Sequence, residues 1–247
     1  MIVLPDIHGR MFWKEAIRQK KAGEVVLFLG DYMEPYTSFE DITSDESYEN
    51  FTEIIDYKKN NVDECILLLG NHDFACIDDD MITCRHDYNN SKRNRDIFID
   101  NESFFKIAHS TKIGGITYLF THAGVHSEWF HDITEYDPDD ISEYLNRMYE
   151  EDYDRLKRYL KRKSSYRSGW IDSYNYGSCI WADVREFIKK NPDIPEFDNT
   201  YQIFGHTLLS NEHISRKWFS CVDVRNAFRL HEENGQLEQI TFEKYLY

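Results

Sequence analysis

The chain has 247 residues, 41% of them hydrophobic and 15% aromatic, enough to fill a large core and unlike disordered polypeptides, which are poor in aromatics. Its 29 Lys and Arg against 45 Asp and Glu leave a net charge of −16, which opposes binding to nucleic-acid phosphates. Eleven Gly and five Pro exclude collagen-like sequence, and no apolar run approaches the roughly 20 residues of a membrane span.

Three early segments share one design. Residues 2–4 run into Pro5-Asp6-Ile7-His8-Gly9, residues 25–29 into Gly30-Asp31, and residues 65–69 into Gly70-Asn71-His72-Asp73. Short continuous apolar runs of this kind fit strands buried on both faces. Helical patterns over 11–22 and 47–60 separate them, which reads as βαβ units and a largely parallel sheet. Residues 74–110, rich in Asp, Asn and Arg, read as loops and short helices over one end of that sheet. Residues 116–120 form a further strand ending in Thr121-His122-Ala123-Gly124. A helix is predicted over 139–163, with an acidic first turn (Asp139, Asp140, Glu143) and a basic last turn (Lys161, Arg162, Lys163), matching the helix dipole. Residues 201–204 make a strand ending in Gly205-His206-Thr207, and 218–224 with 228–230 read as a closing hairpin.

No repeat or linker interrupts the chain, so one domain is expected over 1–247, with 74–110 and 126–180 as capping segments. The five cysteines form no CxxC pair, and the N-terminal residues lack a basic stretch followed by a long apolar one. Reduced thiols and a cytoplasmic location are the corresponding expectations.

Sites in open α/β sheets form outside the carboxyl ends of the strands. Five strand ends here carry metal-binding side chains: Asp6 with His8, Asp31, Asn71, His122 and His206. Each alone reads as a turn, cap or structural residue. Their recurrence at five strand ends carries the functional reading. Carboxylate, imidazole and amide oxygen together suit Mn²⁺, Zn²⁺ or Fe ions, whereas Ca²⁺ and Mg²⁺ prefer all-oxygen cages. The six histidines outside these motifs and position 72 read as structural.

The set D-x-H-G, G-D, G-N-H-D, T-H-A-G and G-H-T resembles the calcineurin-like metallophosphoesterases, and within them the phosphoprotein phosphatase branch with its bacterial and phage relatives. The resemblance runs from Asp6 to Thr207. It implies an α/β (α+β) fold, a central β-sandwich flanked by helices, with two divalent metals at the strand C-terminal ends. Mn²⁺ is the foremost candidate, with Fe, Zn and Ni as alternatives. By the same resemblance Asp6 and His8 bind the first ion, Asp31 bridges both, and Asn71, His122 and His206 bind the second. His72 matches the proton donor to the leaving group. Water shared by two ions is acidified into a nucleophile, and the ions stabilise the charge that develops. The single His of Gly205-His206-Thr207-Leu208 is similar to the phosphatase branch and to the symmetric diadenosine-tetraphosphate hydrolases. Ile180-Trp181-Ala182-Asp183 resembles the Trp-containing segment of that branch.

Two motifs depart from the family, one of them mildly: G-N-H-E is Gly70-Asn71-His72-Asp73 here. Where the family has G-D-x-V-D-R-G, this chain has Gly30-Asp31-Tyr32-Met33-Glu34-Pro35-Tyr36. Glu34 replaces the Asp that orients the proton-donating His. Pro35 replaces an Arg that binds substrate phosphate. A guanidinium suits a phosphoryl oxygen better than an ammonium does, so another arginine is expected in that role: Arg10, directly after the first motif, or Arg185, four residues after Trp181. The expected function is a dinuclear metal-dependent phosphatase acting on phosphomonoesters, either a phosphoprotein or a small phosphorylated metabolite. The alternatives are a dinucleoside polyphosphate hydrolase, with 74–110 shaping its pocket, and a metal- and phosphate-binding module without turnover. Neither nucleic acid nor a membrane is an expected partner.

Overall fold

The structure, a computed structural model, describes residues 1–242 except 39, 82, 135–137, 139, 168–172, 191–192 and 211. The chain divides into two compact units. The first comprises residues 1–105, 225–232 and 236–247, and the second comprises 106–224 and 233–235.

In the first unit, β1 (Ile2–Leu4), β2 (Val26–Phe28) and β3 (Cys65–Leu68) are parallel neighbours. Five of the sheet's strands lie wholly in this unit, in the order Leu237–Gln239, Phe228–Leu230, β1, β2, β3. The register sets Leu4 beside Phe28 and Phe28 beside Leu67. Asp6, Asp31 and Asn71 follow those three residues by two to four positions, so all leave the sheet at the same edge. The crossovers are helical. α1 is Phe12–Arg18. α2 is Ser44–Asn60, capped by Thr43 and Glu46 in a reciprocal capping box. It buries Phe51, Ile54 and Ile55, and Phe51 stacks on Tyr32 at 4.6 Å with Phe98 and Phe105 around them. α3 (Asn71–Ile77) begins directly after β3.

The second unit has a five-stranded sheet in the order Ile214–Ser215, Phe219–Cys221, Thr200–Phe204, Ile116–Thr121, Ala108–Ile113. Its three middle strands are parallel, with Phe120 beside Ile203. His122 and His206 therefore leave their strands at one edge. Phe187, Phe204 and Phe219 pack together beneath that edge with Ala123, Ala182 and Cys221.

Several sequence expectations change in detail. Segments 218–224 and 228–230 do not pair with each other. Phe219–Cys221 joins Thr200–Phe204 in one sheet, while Phe228–Leu230 joins β1 in the other and forms its hairpin with Leu237–Gln239. Two adjacent apolar runs carry no local record of which sheet will take them. The helix expected over 139–163 is two helices, Ile141–Glu151 and Tyr153–Leu160, broken at Asp152, whose φ is −144°. Asp140 caps the first helix, and Asp139 lies outside the described residues. Lys163 belongs to a short strand instead of the helix end. The first helix stops at Arg18, four residues short of the expected end. Cys65, Cys76, Cys179 and Cys221 are buried and Cys84 is exposed. Among the described residues, no helix is long and apolar enough to cross a membrane.

The loops after β2 and β3 meet at two glycines. A Cβ on Gly30 would lie 2.4 Å from the Gly70 nitrogen, and one on Gly70 would lie 2.2 Å from Asp31 Oδ1. No methyl group fits at either place. Gly70→Ala is therefore expected to lower unfolding free energy by about 1–3 kcal/mol, the usual cost of overpacking, as read from the urea midpoint. A midpoint equal to wild type would mean that the two loops are not in this contact.

Candidate metal centre and catalytic residues

The first unit gathers most of the sequence-predicted residues. The loop after β1 hangs on the loop after β2, because the backbone N–H groups of Ile7 and His8 both donate to the Asp31 carbonyl, at 3.2 and 2.7 Å. The loop after β3 is tied to the same place. Asp73 accepts from the backbone N–H groups of Asp31, Tyr32 and Gly70 at 2.7, 3.0 and 2.8 Å. The His72 N–H in turn donates to Asp31 Oδ1 at 2.9 Å. Asp6, His8, Asp31, Asn71, His72 and Asp73 are all buried.

His8 Nδ1 lies 2.9 Å from the Met33 carbonyl. That bond fixes the tautomer with the proton on Nδ1 and leaves a lone pair on Nε2, the arrangement of metal-binding histidines. His8 Nε2 is 3.5 Å from Asp31 Oδ2 and 3.9 Å from Asp6 Oδ2. Ligand atoms each about 2.1 Å from one ion lie roughly 3–4 Å apart, so this spacing fits a shared cation. Electrostatics agree. Burial pushes the Asp31 carboxyl up to about 7, with the neighbouring Asp6 charge adding to the rise and His72 opposing it. Burial also holds the His8 imidazole well below its usual value, reinforced by His72 and Arg85, which keeps it neutral and able to coordinate. A buried Asp31 carboxyl that resists ionising and a neutral His8 imidazole are donors that a divalent cation satisfies.

His72 and Glu34 lie side by side. His72 Nδ1 is hydrogen-bonded to Glu34 Oε2. The same oxygen accepts from Thr83 Oγ1 at 2.9 Å, and Glu34 Oε1 lies 3.0 Å from His86 Nδ1. Burial alone would raise the Glu34 carboxyl, but His72, Thr83 and His86 outweigh it and hold it below the usual value. With Nδ1 occupied, the Nε2 of His72 is the edge left to exchange a proton. His86 was read from sequence as structural, and its bond to Glu34 had no local signal.

Both arginines predicted from sequence have carboxylate partners, and Arg10 keeps a buried Nη2 without a hydrogen bond. Arg10 is buried, its Nε 2.9 Å from Glu40 Oε1 and its Nη1 turned to the Asp6 and Ile7 carbonyls. Arg185 folds back on Asp183, which also caps the helix Val184–Lys189. Sequence reasoning missed Arg85. Its Nη2 lies 3.2 Å from both His8 Nε2 and His72 Nε2.

In the second unit the Gly205 N–H donates to the His122 carbonyl at 2.7 Å. This sets His122 Nε2 3.2 Å from His206 Nδ1, again the spacing of two nitrogens on one ion. Trp181 stands edge-on to the His206 ring at 5.6 Å, and Arg167 donates to the His206 carbonyl at 3.2 Å while pairing with Asp183. Backbone conformation marks the same positions. Of six described non-glycine residues with positive φ, four are His8 (45°), Asp31 (53°), Glu34 (60°) and His206 (63°). Such conformations cost roughly 1–3 kcal/mol each and cluster at functional sites.

The sequence profile of the calcineurin-like phosphoesterases matches residues 2–210. No curated protein matches the sequence. Among solved structures, a protein serine/threonine phosphatase from Saccharomyces cerevisiae with similarity to human phosphatase PP5 is 14% identical, with 100% of this chain and 80% of that one covered at a TM-score of 0.53. A cold-active protein tyrosine phosphatase is also 14% identical, covering 96% of this chain and 77% of that one at a TM-score of 0.58. At this identity the likeness concerns the fold, whose two sheets and flanking helices the chain shares. The profile match, together with the clustered Asp and His side chains, places the chain in the calcineurin-like phosphoesterase family, as a metal-dependent phosphoester hydrolase.

Proposed function

We propose that the protein is a dinuclear phosphatase that hydrolyses phosphomonoesters, with His72 as the general acid. The observation that carries this reading is the pairing of His72 with Glu34 beside the Asp6, His8 and Asp31 donors. One ion is assigned to Asp6, His8 and Asp31 in the first unit, with Asn71 at the head of α3 as a further ligand of the centre. A second ion is assigned to His122 and His206 in the second unit. Bound divalent ions acidify water into a nucleophile and draw charge from the phosphoryl oxygens. The chain's own groups do the rest. Glu34 accepts the Nδ1 proton of His72 and fixes the ring, which leaves Nε2 as the edge that gives a proton to the departing alkoxide. Asp73 keeps that ring in register with Asp31 through three backbone N–H groups. A phosphoprotein and a small phosphorylated metabolite both fit this chemistry. Mn²⁺ is the proposed ion, from the mixed oxygen and nitrogen donors, and the cytoplasm is the proposed location.

Two outcomes test the proposal. With its carboxyl raised to about 7, Asp31 is largely protonated in metal-free protein at pH 6 and largely ionised at pH 8. Titration calorimetry with Mn²⁺ in buffers of different ionisation enthalpy should therefore show more proton release at pH 6 than at pH 8. Asp31→Asn should reduce the difference. Equal release at both pH values would mean that the Asp31 carboxyl does not change its protonation on metal binding in this range.

The second outcome concerns His72→Ala. It should retain its metal and lose roughly 10²–10⁴ in kcat on an alkyl phosphate, the usual range for acid–base catalysis. The loss should be much smaller on p-nitrophenyl phosphate, whose leaving group needs no proton. Equal losses on both esters would assign His72 another role.

A further inference from the structure

Arg85 lies in the segment between α3 and the helix Ser91–Ile99, and three contacts fix its guanidinium. Its Nε donates to the Glu34 carbonyl at 3.1 Å. Its Cζ stands 3.6 Å above the centre of the Tyr36 ring, a close cation–π stack. Its Nη2 reaches His8 Nε2 and His72 Nε2, each at 3.2 Å. The neighbouring cations are paired differently. Arg10 and Arg225 both lie within ion-pair distance of Glu40 Oε1, at 2.9 and 3.4 Å. Among the described residues, no carboxylate side chain forms an ion pair with Arg85.

The two nitrogens that Arg85 faces cannot satisfy it while the site works. His8 Nε2 carries the lone pair that would bind an ion. His72 Nε2 must carry a proton to act as an acid. An N–H of Arg85 cannot donate to either nitrogen in those states. It then needs an acceptor in the same place, beside both rings, and that is where a phosphoryl group bound for transfer would present its oxygens. Pro35, one residue before the Tyr36 platform, has no side-chain donor to offer.

We propose that Arg85 is the substrate-phosphate clamp. Its guanidinium donates to a non-bridging oxygen of the phosphoryl dianion, and Tyr36 is the platform that aims it. The ligand class is a phosphate monoester dianion or inorganic phosphate. The proposal rests on the phosphatase reading above.

The probe is inorganic phosphate, measured on Mn²⁺-loaded protein by calorimetry and as a competitive inhibitor of p-nitrophenyl phosphate hydrolysis. Arg85→Ala should raise the phosphate Kd and Ki by roughly 10- to 150-fold, the worth of a hydrogen bond to a charged group. kcat/KM should fall by a similar factor, with manganese content unchanged. Arg85→Lys should recover only part of the loss, since an ammonium cannot reproduce the planar fork. Wild-type phosphate affinity in both variants would overturn the clamp. So would a loss of affinity that appears only together with a loss of manganese. If wild-type protein hydrolyses the ester while Arg85→Ala matches it, the clamp alone fails. If wild-type protein neither binds phosphate nor hydrolyses any ester, the phosphatase reading fails and takes the clamp with it.

Discussion

The backbone of Asp31 is hydrogen-bonded on both sides. Its N–H is held by the Asp73 carboxylate, and its carbonyl accepts from Ile7 and His8. Three chain segments, from three strand ends, are thereby fixed to one residue before any side chain enters the account. A bond between neutral groups, such as those to the Asp31 carbonyl, contributes on the order of 0.5–1.5 kcal/mol. The close approach of Gly30 and Gly70 makes the geometry possible, because a side chain at either position would drive the loops apart. The pair of acidic residues is unusual in that the two carboxylates have opposite tasks. Asp73 is consumed by backbone donors. Asp31 accepts the His72 N–H on Oδ1 and has Oδ2 3.5 Å from His8 Nε2.

Glu34 extends that framework outward. In place of a shorter aspartate, its longer side chain lets one carboxylate serve His72, Thr83 and His86 together. The residue is fixed by its own left-handed backbone and by Arg85, which binds its carbonyl. The orientation of His72 is thus secured from a segment that lies beyond α3. Residues 83–86 help to hold Glu34, and through it the His72 ring, in place.

How far this was legible in the sequence follows from the range of the interactions. β1, β2 and β3 were legible because each is a continuous apolar run ending in small and polar residues, a local signal. The ligand-type residues at their ends were legible for the same reason, and the parallel register then brings them to one edge. Arg85 was not, because residues 74–110 have no periodicity and its position depends on a ring 49 residues away in the chain. Arg10 stands where the sequence suggested, beside the first motif, but its partner Glu40 lies 30 residues on and could not be read from spacing. The mistaken hairpin at 218–230 has a similar origin: strand-like pattern identifies a strand and says nothing of its partner.

The left-handed backbone at His8, Asp31 and His206 restricts which side chains evolution can try there. Outside glycine, the residues that best tolerate this conformation are Asn, Asp and His, and β-branched residues are excluded by their Cβ substituents. Those three are also the side chains with nitrogen and oxygen donors suited to Mn²⁺ and its neighbours. The turn geometry and the coordination chemistry therefore select from nearly the same short alphabet. Drift at these positions that preserves folding would pass mainly through other donor residues, so a lineage could exchange one metal preference for another without first losing the loop.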